Sequence, residues 1–510
     1  MATKLLTERY ADQLDGVLMC YDRLILTGSL YPFCYAQGMS GYLRSQHIRI
    51  FDYPEFAQNL REEIRNNAEK LAQEQGIEIE FLRKKNFRKE DRIQAILKER
   101  GQTAGLVHIF SALEPCTSYK PWHDKKTGQT YLKFDSGKCI HYYFYFLDEQ
   151  LGLCYLRVPS WCPFRLQFYC NGHNWLAAQL REKGIAFQMV DNAFVQIADY
   201  AAANELAAHL DLEHLHARLD GFAQQYCPVV QKLKATAQLL TYRWSIMQAE
   251  FATDLVFKQA QDVQAFYPTL LETLTHAVKP DDIATFLGRK LHGNYQGECG
   301  NRFNRQRLLG TRLKHSMGPV SIKMYDKFGL ILRIETTTNE VRFFRQRRTV
   351  HHRTGEDEIR WAPMRKSIYS LAPLQEVLSA ANQRYLAFIS AFDTPIGGCE
   401  CLNNLTQTQV ENQHSYKGFN FFSEEDASLL RLLLRGELAT CGLCSRDLLT
   451  FLPEKSPGQI SRLIKRLRVH GLIKKVAHRY KYYLTDLGRK AATLALKLRE
   501  FQALPALASA

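Results

Sequence analysis

Apolar positions along the first 115 residues alternate between two periods. GVLMCYDRLILTGSLY, residues 16–31, is a long β-rich run broken by Asp22, the pattern of a strand covered on both faces. YPEFAQNLREEIRNNAEKLAQEQG repeats at helical spacing and stops at Gly76; IEIEFLR is a short strand, RKEDRIQAILKERG a helix stopped by Gly101, and GLVHIFSALEP a strand ended by Pro115. The alternation predicts an α/β N-terminal half. Over 131–170 the pattern turns to β: IHYYFYFL, the turn DEQLG, LCYLRV and FRLQFYC form a meander. NWLAAQLREKG returns to helix and IAFQMV to strand.

From about 200 to 291 the spacing predicts helix, including WSIMQAEFATDLVF at 244–257. On a helix, Glu250 and Asp254 stand one turn apart on a face flanked by apolar residues. Burial penalises both charges and each raises the other's pKa. Either a cation sits between them or Arg243 and Lys258 neutralise them from the same face. Residues 293–310 are Gly-rich and irregular, and GPVSIKMYDKFGLILRIETTTN is a hairpin turned at 327–329. No internal repeat is visible, which sets solenoids aside. The expected organisation is a mixed α/β domain at 1–200, a helical segment with a basic β-hairpin at 201–395, a polar linker at 396–422 and a domain at 423–500.

That last segment has clear punctuation. Ser423 with Asp426 opens the helix EEDASLLRLLLRG; SRDLLTFLP follows; SPGQISRLIKRLRVHG has Ser456 as cap, Pro457 at the first position and Gly471 as stop. LIKKVAHRYKYYLT reads as a β-wing and DLGRKAATLALKLREF as a closing helix. Three helices and a basic hairpin make a winged helix-turn-helix, and the ending HGLIKK…RYKYYLTDLGRK resembles the MarR-type domain. In such a domain the third helix lies in the major groove. Ile460, Leu463, Ile464 and Leu467 are then its buried stripe. Ser461, Arg462, Lys465, Arg466 and Arg468 face DNA, with Lys474, Lys475, Arg479 and Lys481 of the wing on phosphates.

Charge sharpens the picture. The 510-residue chain carries a net charge of +15, with 46% hydrophobic and 12% aromatic residues. Residues 302–353 hold 13 Lys/Arg against 3 Asp/Glu, and 455–490 hold 11 against 1. Two concentrated basic windows are the footprint of nucleic-acid binding. In the first, Arg302, Arg305, Arg307, Arg312, Lys314, Lys323, Arg345, Arg347 and Arg348 are interleaved with aromatics that can stack on bases. The hairpin SIKMYDK…LILRIETT weakly resembles a motif of phage and plasmid replication proteins, over about twenty residues. Its acids, Asp326 and Glu335, are expected to pair with Lys323, Lys327 and Arg333, making the hairpin a nucleic-acid clamp and not an active site.

An RNase H-like nuclease core, with insertions, needs a carboxylate in its first strand, one at the end of its fourth and one or two on a later helix, together holding two Mg²⁺ ions. Asp22, Glu114, Glu250 and Asp254 match that order and are the candidate catalytic set, with Asp22, Glu114 and Asp254 as ligands of Mg²⁺ or Mn²⁺, which take hard oxygen donors. Zinc is disfavoured: Cys399 and Cys401 with Cys441 and Cys444 have poor Cys₄ spacing. Thirteen irregularly spaced cysteines without a signal-like N-terminus predict free thiols and a cytoplasmic protein, and no run approaches the roughly 20 apolar residues of a membrane span. No phosphate loop, GxSxG elbow or HExxH is present.

Taken together, YDRLILTGSL, WCPFRLQFYCNGHNWLA, QAEFATDLVF, FLGRK, SIKMYDK…LRIETT and the winged-helix ending resemble a family of uncharacterised bacterial proteins, often labelled hypothetical or MarR-like. The resemblance implies a bacterial source and a mobile-element setting, and brings no catalytic residue with it. The expected function is Mg²⁺-dependent cutting or strand transfer on DNA or RNA, of a mobile-element or defence type. The rival is a non-catalytic winged-helix regulator or replication initiator whose acids are structural. RNA as substrate or guide, and the number of copies, a dimer included, stay open.

Overall fold

The computed structural model describes residues 4–83, 87–101, 104–238, 242–292, 294–305, 311–352, 355–392, 395–476 and 480–508. The chain divides into two compact units, 1–393 and 394–510.

The first unit is built on an eleven-stranded sheet. Its strands are β1 (Leu14–Ser29), β2 (Ile79–Phe81), β3 (Gly105–His123), β4 (Thr130–Asp148), β5 (Gly152–Pro159) and β6 (Leu166–Asn171). After the separate hairpin β7 (Phe187–Val190) and β8 (Ala193–Ile197) come β9 (Arg243–Phe257), β10 (Cys299–Arg305), β11 (Thr311–Met317), β12 (Val320–Lys327) and β13 (Ile331–Thr338). A further hairpin is formed by β14 (Arg345–His351) and β15 (Asp357–Pro363). The sheet order is β10-β11-β12-β13-β9-β1-β6-β5-β4-β3-β2. β2 and β3 run parallel and every other pairing in this sheet is antiparallel.

Helices expected around 244–257 give way to β9. The segment is buried without interruption from Ala249 to Phe257, because it lies in mid-sheet between β1 and β13 with both faces covered. A strand in that position loses its period-two signal and looks like a buried helix. Glu250 and Asp254 still share a face, since even spacing does so on a strand. The RNase H-like expectation of acids on a late helix is therefore corrected to acids on a central strand.

β9 also corrects the boundary near residue 200: it pairs with the first strand of the chain, so 1–200 and 201–395 contribute to one sheet. One face of that sheet carries the main core: Phe144 and Phe168 pack against Tyr226 and Phe222 of the helix Leu212–Tyr226, and the helix Leu371–Ser390 covers β9 and β13. Asn382 of that helix ties it down, donating to the carbonyls of Phe251 and Ile334 and to Thr253 Oγ1. The opposite face carries smaller apolar clusters, among them Leu18 and Cys20 with Leu176 and Leu180, beside buried polar residues that include Asp22, Asp254 and Arg333.

The second unit contains the helices Pro395–Thr406, Glu424–Leu433, Ser445–Phe451, Pro457–Val469 and Asp486–Lys497. Its short hairpins are β16 (Gln409–Glu411) with β17 (His414–Tyr416), and β18 (Ile473–Lys475) with β19 (Tyr482–Leu484). The expected linker at 396–422 is thus a helix and a hairpin belonging to this unit. Ser456 and Gln459 form a capping box over Pro457, as the punctuation predicts, and Leu430, Leu448, Ile460, Leu467 and Leu472 form the core.

Candidate metal and nucleic-acid site

The polar part of that second face is organised by a β-bulge. Tyr21 pairs with Phe251 and Leu24 with Ala249, so Asp22 and Arg23 together stand opposite Glu250. Bulges re-aim side chains beside functional sites, and this one turns Asp22 inward while leaving Arg23 49% exposed at the surface. Gly172, opening the helix Gly172–Glu182, packs against the same place: a Cβ there would lie 2.2 Å from the Tyr21 carbonyl oxygen.

Carboxylate oxygens of Asp22, Glu250 and Glu335 lie within 4.8 Å of one another, from β1, β9 and β13. Lys323 of β12 sits against two of them, donating to Glu250 Oε1 at 3.1 Å and to Glu335 Oε1. Tyr325 Oη donates to Glu335 Oε2 at 2.7 Å. Burial and the neighbouring Glu335 carboxylate push the Glu250 pKa up, against the pull of Lys323 and Arg23.

Asp254 belongs to a neighbouring knot. Arg333, fully buried, donates to both its oxygens at 2.6 Å and to Asp22 Oδ2 at 3.3 Å. Asp22 Oδ1 accepts from Asn171 at 2.8 Å and Asn192 at 3.1 Å. Burial favours the neutral acids, but Arg333 and His173 overcome it, holding Asp254 at about 2 and Asp22 well below the usual carboxylate range. His173 lies between the two aspartates, with Nε2 3.1 Å from Arg333 Nη2 and Nδ1 3.2 Å from Asp22 Oδ1. Its Nε2 also lies 3.6 Å from Asp254 Oδ2, and although burial and Arg333 oppose the charged ring, the two aspartates help push its pKa well above the ordinary imidazole value. Burial, and then Arg333, lower Lys327 to about 8.

Of the four predicted acids, the structure brings Asp22 and Glu250 together and places Asp254 beside them in an ion-paired position. Glu114 stands apart, across β6, β5 and β4, where it accepts from Tyr143 at 2.6 Å and Arg157 at 2.6 Å. Neither expected neutralising cation is there: Arg243 lies over the Tyr31 ring and Lys258 donates to the Asp12 carbonyl. Glu335, expected only as a hairpin ion-pair partner of the clamp, is the third acid of the cluster. Its pairing with Lys323 is as expected. What the sequence could not supply is the β13–β9 pairing that sets Glu335 opposite Ala252.

Lys323 and Lys314 of the basic middle border this cluster. Arg302, Lys314 and Lys323 follow one another across β10, β11 and β12 in register. Burial, then Lys323 and Arg312, lower the Lys314 pKa. Arg345, Arg347 and Arg348 lie on the β14–β15 hairpin around Trp361, which is exposed. Arg345 and Arg348 donate to the Trp361 and Pro363 carbonyls. Arg307, Arg479 and the side chain of Arg305 lie outside the described residues.

In the second unit, Ile460, Ile464 and Leu467 are buried as predicted, and Ser461 and Arg462 are exposed. Arg466 is corrected: it faces inward, donating to both Asp426 oxygens and to the Lys417 and Gly418 carbonyls. Asp426 therefore serves Arg466 more than a capping box. Lys465 and Arg468 both pair with Glu411 of β16. Lys474 and Lys475 are exposed on β18, with Lys475 over the Tyr480 ring, and Lys481 is exposed beside β19. Cys401 is exposed and Cys444 half-buried, both free thiols, and the side chains of Cys399 and Cys441 lie outside the described residues. No helix among the described residues is long and apolar enough to cross a membrane.

No family model matches the sequence, and no curated protein does. The structure of the rolling circle replication initiator protein from Geobacillus stearothermophilus aligns over 71% of this chain and 97% of its own, at 10% identity and a TM-score of 0.20. A likeness at that score assigns no function.

Proposed function

We propose that this chain binds nucleic acid and, at Asp22, Glu250 and Glu335, supports divalent-metal-dependent phosphodiester cleavage or strand transfer. The observation that carries the proposal is the convergence of three carboxylates from three strands within 4.8 Å, beside a basic row. Hard oxygen donors at that spacing suit Mg²⁺ or Mn²⁺, and such an ion stabilises charge on a phosphoryl oxygen and activates a nucleophile. The protein's own groups would do the rest. Arg333 fixes Asp22, Lys323 offers a cation to a phosphate, and Glu335 can accept the Tyr325 proton. In the second unit, a winged helix with Ser461, Arg462 and the wing lysines toward DNA would supply a separate duplex contact, with phosphates neutralised by the exposed basic residues. A mobile-element or defence setting fits cleavage or strand transfer.

A second reading has its own support: Lys323 and Arg333 already neutralise the acids. On that reading the carboxylates are structural and the protein is a DNA-binding regulator or a replication initiator without this chemistry. Incubation with labelled single- and double-stranded DNA and RNA, in Mg²⁺ and in EDTA, separates the two. Cleavage lost in EDTA and in Asp22→Asn supports the first; retention of nucleic acid without cleavage supports the second.

A further inference from the structure

The sheet face that holds the carboxylates continues, across β6, β5 and β4, as a row of tyrosines. Tyr155 and Tyr169 are direct cross-strand partners, stacked at 5.2 Å with an interplanar angle of 10°. Tyr145 extends the row, 5.2 Å from Tyr155. On the other side of Tyr169, Arg23 holds its guanidinium 5.7 Å from the ring centroid. These rings line a cleft of about 750 Å³. Asn171 and Asn192 line it too, and both donate to Asp22. The cleft therefore opens onto the carboxylate cluster.

Its walls choose the ligand. Glu90, Asp91, Asp148, Glu149 and Asp191 line the cleft against Arg23 and Arg181, so a phosphodiester is repelled from its interior. A flat, uncharged ring is not. Burial raises the pKa of both Tyr155 and Tyr169 above the ordinary phenol value, so the floor adds no charge of its own. Arg23 both borders the cleft and reaches the cluster, 3.9 Å from Glu250. Half exposed and loosely set over Tyr169, its guanidinium can slide aside to cap an inserted ring and meet a phosphate.

We propose that this cleft receives one unpaired base of a single-stranded nucleic acid, which extends the Tyr155–Tyr169 stack while its phosphate lies over Arg23 toward Asp22, Glu250 and Glu335. The proposal rests on the phosphodiester reading for its purpose and names that site's substrate as unpaired strand. A base held in a duplex stack could not enter without being extruded. Aromatic platforms on a sheet take unpaired bases in this way, largely without regard to sequence.

The test uses the full chain and single-stranded DNA and RNA oligonucleotides carrying 2-aminopurine, titrated in EDTA. The wild type should bind and quench the fluorescence, because stacking on an aromatic ring quenches that base. Tyr169→Ala should weaken binding about 5- to 150-fold, and Tyr169→Phe should bind as the wild type does. The same sequence as a blunt duplex should bind Tyr169→Ala and wild type equally. Binding without quenching overturns the proposal even if the alanine variant fails to fold. So does an alanine variant with wild-type affinity, or quenching of free 2-aminopurine nucleotide with no binding of the oligonucleotide. Running the titration in EDTA keeps this outcome separate from the presence or absence of metal-dependent cleavage.

Discussion

Replacing Arg333 by Met tests the knot that fixes Asp22. The guanidinium is fully buried and makes two 2.6 Å bonds to Asp254 and one of 3.3 Å to Asp22. Methionine fills much of the volume but leaves two buried carboxylates with one cation fewer. Breaking a buried pair by removing one partner costs about 3–5 kcal/mol, a large part of the about 5–15 kcal/mol that keeps a domain folded. Replacing both partners together should cost less than the sum of the singles, because Asp22 alone is then left without Arg333, with His173 still beside it. Arg333→Met, Asp254→Asn and the double variant form a cycle whose coupling we expect to exceed about 2 kcal/mol. Urea unfolding followed by tryptophan fluorescence is the assay. All five tryptophans, Trp122, Trp161, Trp175, Trp244 and Trp361, lie in the first unit, so the signal reports that unit alone. A loss below about 1 kcal/mol in Arg333→Met, or a double variant costing the sum of the singles, would refute the reasoning.

Acid should dissolve the same knot. Asp254 is held at about 2, below its ordinary 3.8, so its stabilisation is complete above about pH 4 and vanishes as pH falls toward 2. The shift corresponds to about 2 kcal/mol; urea midpoints from pH 6 down to 2 should drop by more in wild type than in Asp254→Asn. Tyr325→Phe separates hydrolysis from strand transfer: if Tyr325 is the nucleophile, a protein–nucleic acid adduct resistant to denaturing gels is lost, whereas water-driven cleavage persists. In the second unit, Arg462→Ala should weaken duplex DNA binding and reduce the salt slope by about one with little change in melting. Arg466→Ala should lower the melting temperature, since it strands Asp426; equal melting of the two variants would contradict the assignment.

How much was legible depended on where a strand or helix lies. β1 and the meander to β6 announce themselves because their ends carry Gly and turn residues, whereas β3 is corrected: it runs on through Pro115, its predicted stop, to His123 in register with β4. The helix Pro457–Val469 is marked by Ser456, Pro457 and Gly471. β9 has no such marks, and being buried on both faces it has no alternation either, so its two acids looked helical. The expectation survived in part because spacings of four share a face in both conformations. The cluster itself depends on non-local register. Glu335 is 85 residues beyond Glu250 in sequence, and only the β13–β9 pairing brings it in, whereas Glu114 on β3 is kept from β1 by the three intervening strands β4, β5 and β6. Arg466 was placed outward because helical spacing alone cannot show that Asp426 and two carbonyls wait on its side.

The central claim is that Asp22, Glu250 and Glu335 hold a divalent cation. Electron paramagnetic resonance titration of the full chain with Mn²⁺ measures it directly. The account predicts saturable Mn²⁺ binding by wild type, displaced by Mg²⁺, with one tight site fewer in Asp22→Asn and in Glu335→Gln. Wild type without a tight site, or variants that retain the wild-type number, would contradict it and leave the acids as an ion-paired support for the sheet.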